Sequence, residues 1–252
     1  MPLEGRRPPP VYLSLMATVD ARKLAAAEAA AALVEDGMIV GLGSGSTASL
    51  AVAAVGRRVA QGLHIVAIPT SEKTAEQARG LGIPLTALDG GGPIDLTIDG
   101  ADEVERGSLD LVKGLGGALL REKIVASATT RLVIVADESK LVDRIGAGGL
   151  PIPVEVVPFG WQTTARRLSG LGARWTQRLT AEGQPFVTDG GHLILDCRFE
   201  SLPSAGELGQ RLDAMVGVVE HGLFLGMTSE AMVGRGTGEV LRLTARNGRP
   251  PS

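Results

Sequence analysis

Between residues 38 and 136 short, unbroken apolar runs alternate with longer runs of Ala, Leu and Val at helical spacing, which leaves few architectures open. Residues 38–42 (MIVGL), 64–68 (HIVAI), 84–88 (PLTAL), 94–98 (IDLTI), 109–112 (LDLV) and 131–136 (RLVIVA) read as strands. Helices are expected over 21–35, 48–60, 72–81 and 118–127. Strands buried on both faces are apolar throughout, and their alternation with helices builds a parallel sheet covered on both sides. The expected core is therefore α/β, a Rossmann-like parallel sheet with helices on both faces.

Asp20 is the predicted N-cap of the first helix and Gly37 its stop, with Leu24, Ala27, Ala31 and Val34 on one face. After Ile145 the pattern changes, and 146–153 (GAGGLPIP) reads as a linker. The order that follows is β-α-β-β-β-α-β with one weak hairpin arm, and residues 188–192 (TDGGH) form its turn. This points to a smaller α+β domain of split β-α-β, ferredoxin-like type. The expected division is a disordered tail over 1–19, with Met16 as the initiator. An α/β catalytic domain follows over 20–147 and 217–243, and a lid or oligomerisation domain over 148–216.

Charge and composition exclude several functions. The net charge is −3 without a basic run, so nucleic acid is not the expected partner. No apolar run reaches the ~18 residues of a membrane span. Cys197, the one cysteine, has no partner for a disulfide and no Cys or His cluster around it, which fits a reducing cytoplasm and no zinc.

Four motifs carry chemistry. Ser44, Gly45, Ser46 and Thr47 lie between a strand and a helix, where N–H groups, hydroxyls and a helix N-terminus converge as a phosphate site would require. The plainer alternative is a tight turn with ordinary caps. The loop lacks the third glycine of G-x-G-x-x-G and no GKS or GKT follows, so neither a dinucleotide fingerprint nor a P-loop is present. Asp99 and Asp102 follow a strand, where aspartates also commonly cap turns. Lys113 ends its strand before Gly114 on a glycine-rich loop. Lys140 follows the strand 131–136, on the ligand-binding edge or as a plain surface lysine.

Glu122 is ambiguous. Taking Leu120 and Ile124 as the buried stripe, it lies about 200° from Leu120 at 100° per residue, which puts it in solvent.

Together GLGSGSTA (41–48), TIDGADEV (97–104), KGLGGALLREKI (113–124), ADESK (136–140), LPIPVEVVP (150–158) and VTDGGHLILD (187–196) resemble type A ribose-5-phosphate isomerase, over roughly residues 20–242. The resemblance implies reversible conversion of ribose 5-phosphate to ribulose 5-phosphate through an enediolate, in the non-oxidative pentose phosphate pathway. It implies that Ser44, Gly45, Ser46 and Thr47 bind the phosphate, with Lys23 and Lys140 nearby. Asp99, Asp102 and Lys113, on loops with Gly100, Ala101, Gly114, Leu115 and Gly116, would handle sugar hydroxyls, ring opening and the oxyanion. Glu122 would move the proton between C1 and C2. It further implies a cytoplasmic homodimer or homotetramer. No hydride moves and the sequence offers no ligand cluster, so no cofactor and no metal are expected.

Two departures stand out: Leu115 replaces a frequent glycine, and 1–19 have no counterpart. The rivals are a sugar-phosphate sensor, which would need a helix-turn-helix domain, and a coenzyme A transferase, which would lack the DGAD and KGxGG pairing.

Overall fold

Apolar continuity places the middle of the chain at the centre of the structure. The computed structural model describes residues 10–89, 92–199 and 204–245, with the backbone alone for 10–20. The elements run α1 (Pro10–Ala31), β1 (Ile39–Leu42), α2 (Ser46–Ala60), β2 (Val66–Pro69), α3 (Glu72–Gly80), β3 (Ile94–Gly100), β4 (Glu103–Glu105), β5 (Leu111–Val112), α4 (Leu119–Ser127), β6 (Thr129–Asp137) and β7 (Leu141–Val142). Then come β8 (Ile152–Val156), α5 (Trp161–Gly170), β9 (Ala173–Gln177), β10 (Leu193–Phe199), α6 (Ala205–Asp213), β11 (Val218–His221), β12 (Leu223–Phe224), β13 (Glu230–Gly234) and β14 (Val240–Thr244).

The main sheet has the order β14-β13-β6-β3-β1-β2. All its neighbours pair in parallel except β13 and β14. Along β6, Val133 and Val135 join the core under α1 and α2, whereas Leu132, Ile134 and Ala136 join the core on the opposite face. Both faces are dry, which is why this strand reads as an unbroken apolar run.

Helix α4 and a second sheet, β12-β5-β4-β7, lie on that opposite face, the sheet contributing Val104, Leu111 and Phe224. The run 109–112 thus leaves the main sheet, against expectation, because β6 already occupies the position beside β3. Residues 84–88 are likewise not a strand: Pro84 has no N–H to give, and a single bridge joins Leu85 to Ala67.

The first helix begins earlier than the sequence suggests. Its backbone is helical from Pro10, so the expected tail is helical over 10–19, and residues 1–9 lie outside the described ones. A proline suits the first helical position, and nothing between it and Asp20 breaks a helix. The buried face is Ala26, Ala27, Ala30, Ala31 and Val34, with Leu24 exposed, so the seam sits about one residue around the helix from the expected one.

The smaller unit is β-α-β-β-α-β with antiparallel order β11-β8-β10-β9, the ferredoxin-like arrangement. Ile152, Val154 and Val156 of β8 meet Ala165, Leu168, Leu208 and Leu212 from its two helices, while Glu155 points to the other face. The weak hairpin arm is residues 185–187, held by the bridges Leu179–Pro185 and Val187–Leu193. β11 pairs with β8, so the smaller unit's sheet extends to His221.

Candidate active site

Strand order selects the location. From β1 the chain moves to β2 on one side, and β3 and β6 follow on the other, so the sheet reverses direction between β1 and β3. Open α/β sheets hold ligands at the carboxyl ends of the strands flanking such a reversal. Here the loop after β1 supplies Ser44, Gly45, Ser46 and Thr47, and the end of β3 supplies Asp99 and Gly100. Ser44 N–H donates to Asp99 Oδ1 at 3.1 Å across the gap. Gly43 is required there, since a Cβ at that position would overlap the Asp99 carboxylate and backbone.

A cleft of about 560 Å³ opens at this edge. Lys23, Ser44, Gly45, Ser46, Thr47, Gly100, Ala101, Asp102, Lys113, Gly114, Gly116, Glu122 and Lys140 all line it. Two expected residues do not. Asp99 is 1% exposed and stands behind Lys113, and Leu115 does not line the cleft, although its N–H donates to Asp102 Oδ2 at 3.0 Å. One part of the lining is rich in hydroxyls. Ser44 Oγ lies 2.8 Å from Thr70 Oγ1 and Ser71 Oγ and 3.1 Å from Thr74 Oγ1. Lys23 Nζ donates to Ser46 Oγ at 3.1 Å, and Lys73 and Lys140 add positive charge to the same cleft.

The other part is built around Lys113, which is 3% exposed. Its ammonium donates to Gly100 O at 2.5 Å, and lies 3.1 Å from Asp99 Oδ2 and 3.3 Å from Glu122 Oε1. Burial works against this cation, but Asp99 and Glu122 more than offset that and hold its pKa above the usual lysine value. Burial raises the Asp99 pKa, opposed by Lys113 and by the N–H groups of Gly100 and Ser44. Glu122 has fewer compensating contacts. Burial, opposed by Lys113 and reinforced by Asp99, pushes its carboxyl up to about 8, and Oε2 has no hydrogen-bond partner. An unsatisfied buried acceptor costs free energy.

Glu122 is therefore not a solvated charge. The buried face of α4 is Leu119, Glu122, Val125 and Ala126, and Ile124 is 45% exposed. The residues at i, i+3, i+6 and i+7 around Glu122 carry that signal in the sequence, and choosing Leu120 and Ile124 as the seam hides it.

Other lining residues are absent from the expected set. Ser71 and Thr74 come from the start of α3, at the same sheet edge, where Ser71 caps the helix by accepting from Thr74 N–H. Phe186 and Asp189 come from the smaller unit's hairpin. Asp189 Oδ2 accepts from Glu72 N–H at 3.0 Å and lies 3.7 Å from Arg121 Nη1, so the hairpin is tied to the larger unit beside Glu122. No local pattern in a sequence reports that contact.

The structure also gathers Asp213, Glu220 and His221, among the described residues, at a spacing that could hold a metal ion. None of the three lines the cleft, and Lys123 Nζ sits 2.5 Å from Glu220 Oε1, so a cation of the chain's own is already there.

The family profile described as Ribose 5-phosphate isomerase A (phosphoriboisomerase A) matches residues 66–238. Ribose-5-phosphate isomerase A of Synechococcus sp. (strain JA-3-3Ab) is 53% identical over 229 residues, 90% of this chain and 99% of that one. The namesake from Gloeobacter violaceus is 57% identical over 215 residues, 85% of this chain and 93% of that one. The solved structure of ribose 5-phosphate isomerase A from Methanocaldococcus jannaschii superimposes with a TM-score of 0.85 at 40% identity, covering 89% of this chain and 99% of that chain.

The electrostatics of the cleft predict that Glu122 titrates far above an ordinary glutamate. In ¹³C NMR of protein labelled at the glutamate carboxyls, the signal missing from Glu122→Gln is expected to have its midpoint near pH 8. Exposed glutamates titrate at about 4.3. A Glu122 midpoint in that ordinary range would contradict the description of the site.

Proposed function

The chain belongs to the ribose 5-phosphate isomerase A family, and we propose that the cleft between β1, β3 and α4 is where it performs its reaction, with Glu122 as the proton-transferring base. The reaction is the aldose–ketose interconversion of ribose 5-phosphate and ribulose 5-phosphate in the pentose phosphate pathway. The observation that carries the assignment is the Glu122 carboxylate: buried, free at Oε2, facing the cleft and 3.3 Å from a lysine ammonium.

Isomerisation moves a proton between C2 and C1 and leaves negative charge on O1 and O2 in between. A base works best with a pKa near the operating pH, and a value of about 8 suits Glu122 to both removing and returning the proton. Lys113, held cationic by Asp99, meets the developing enediolate, together with N–H groups of the loop that follows it. Asp99, expected to open the sugar ring, is buried behind Lys113 and acts through Lys113 and Ser44, whereas Asp102 lines the cleft and is placed to meet sugar hydroxyls. The phosphate takes the hydroxyl-rich loop at the N-terminus of α2, with Lys23 and Lys140.

The unit from β8 to β11 serves as lid and assembly domain, since its hairpin brings Phe186 and Asp189 to the cleft. It also exposes Phe159 at 94% and Val216 at 76% on adjoining loops, an apolar patch of the kind covered by a second subunit. The proposed state is a cytoplasmic homodimer or homotetramer. No described helix is long and apolar enough to cross a membrane. Light scattering at micromolar concentration is expected to give a multiple of 26.0 kDa. A single 26.0 kDa species would refute the assembly.

Glu122→Gln keeps the shape of the side chain but cannot accept the proton. Its kcat for ribose 5-phosphate is expected to fall by roughly 10²–10⁴, the usual range for a general base. Exchange of the C2 hydrogen with D₂O, followed by NMR, isolates the step, and wild-type exchange would move the base to another residue. Ser46→Ala and Thr47→Ala remove donors to a charged group remote from the reacting carbons. Each is expected to raise KM by roughly tenfold to a hundredfold, from about 1.5–3 kcal/mol per bond. An unchanged KM in both would make the loop purely structural.

A further inference from the structure

We propose that Arg178, which follows β9 in the smaller unit, is a positioning residue that aims the peptide N–H groups of the loop after Lys113 into the reaction site. It rests on the reading of the cleft given above and adds a residue that touches no substrate. Arg178 is fixed at its own end by Asp196 of β10: Nε donates to Asp196 Oδ2 at 2.9 Å, and Nη2 donates to Asp196 Oδ1. The remaining nitrogen, Nη1, donates to Gly114 O at 2.8 Å and to Leu115 O at 3.0 Å. One guanidinium thus grips two consecutive carbonyls of the loop that begins with Lys113.

Peptide geometry supplies the consequence. No peptide bond in the described chain is cis, and in a planar trans peptide the N–H points opposite to the C=O. The two carbonyls face Arg178, so the N–H groups of Leu115 and Gly116, in the same peptides, face away from it. The first of these donates to Asp102 Oδ2 at 3.0 Å. The second belongs to a residue that lines the cleft with Lys113 and Glu122. Successive N–H groups turned to one side form a concavity that favours negative charge. Gly114, at φ +100°, has the backbone conformation that lets the chain turn this way.

Arginine is needed because the planar fork can face a carboxylate with one edge and still direct a third N–H at the loop, which a lysine ammonium cannot do in fixed geometry. The backbone of Arg178 also accepts from Phe186 N–H at 2.9 Å, so the residue that orients the loop also holds an aromatic side chain of the cleft wall.

The test compares Arg178→Lys, Arg178→Ala and Glu122→Gln in the full chain, with kcat, KM and melting temperature measured for each on ribose 5-phosphate. Misplacement of a transition-state donor by about 1 Å can cost about a hundredfold in rate. A kcat loss of about tenfold or more is expected for both Arg178 variants, with KM changed by less than about threefold because the phosphate loop is untouched. Added methylguanidinium is expected to restore part of the kcat of Arg178→Ala, and methylammonium is not, a response that general loosening of the fold would not give.

If Arg178→Ala does not fold, Arg178→Lys decides. A wild-type kcat in either folded Arg178 variant, or a loss confined to KM, overturns the proposal while an inactive Glu122→Gln leaves the site reading standing. An active Glu122→Gln overturns both.

Discussion

Everything in the cleft depends on one ammonium shared by two buried carboxyls. Lys113 sits where water is excluded, and Asp99 and Glu122 both approach its Nζ. One cation cannot fully compensate two anions in such a place, so one carboxyl must carry the larger share of the burial cost. The N–H groups of Ser44 and Gly100 both donate to Asp99, and neither reaches Glu122. Burial raises both carboxyls, and Glu122, pushed up to about 8, is poised to gain or lose its proton in the physiological range. A stability-minded arrangement would remove Glu122 or give Oε2 a donor. The unsatisfied oxygen fits the role of base proposed for Glu122.

The same triad explains several details of the fold around it. Lys113 is the residue after a two-residue strand, too short to be stable alone, and β5 is held between β4 and β12. Phe224 of β12 places its ring 5.5 Å from Lys113 Nζ and 4.9 Å from Lys123 Nζ, a partly apolar support that cations tolerate well. The second sheet is small, yet it carries both the lysine and the aromatic floor beneath it.

How much of this is legible in residues alone depends on distance along the chain. The main sheet is legible because β1, β3 and β6 are buried on both faces and so carry no polar interruptions. Ser44 and Asp102 are legible because each follows a main-sheet strand at the same edge, and Lys113 because it ends its own run before a glycine-rich loop. Glu122 is misplaced by periodicity, since a helix packed against a site has a polar member in its buried face and a short helix offers few residues to fix the seam. Phe186, Asp189 and Arg178 are invisible, because their role arises from the smaller unit folding across the larger one. The meeting of Asp213, Glu220 and His221 has the same character.

The joint between the two units has a further consequence. Gly222 accepts from Lys113 N–H at 2.8 Å, and its own N–H donates to Pro153 O at 2.8 Å in β8. A Cβ there would collide with the Lys113 carbonyl and approach Pro153, so the three backbones are in direct contact. Links made of peptide groups do not depend on which side chains surround them. The position of the lysine is therefore set by peptide groups of the smaller unit, whatever side chains surround them. Excising that unit would remove one wall of the lysine's socket, so the insertion is a structural member of the active site rather than an accessory fused to a self-sufficient enzyme.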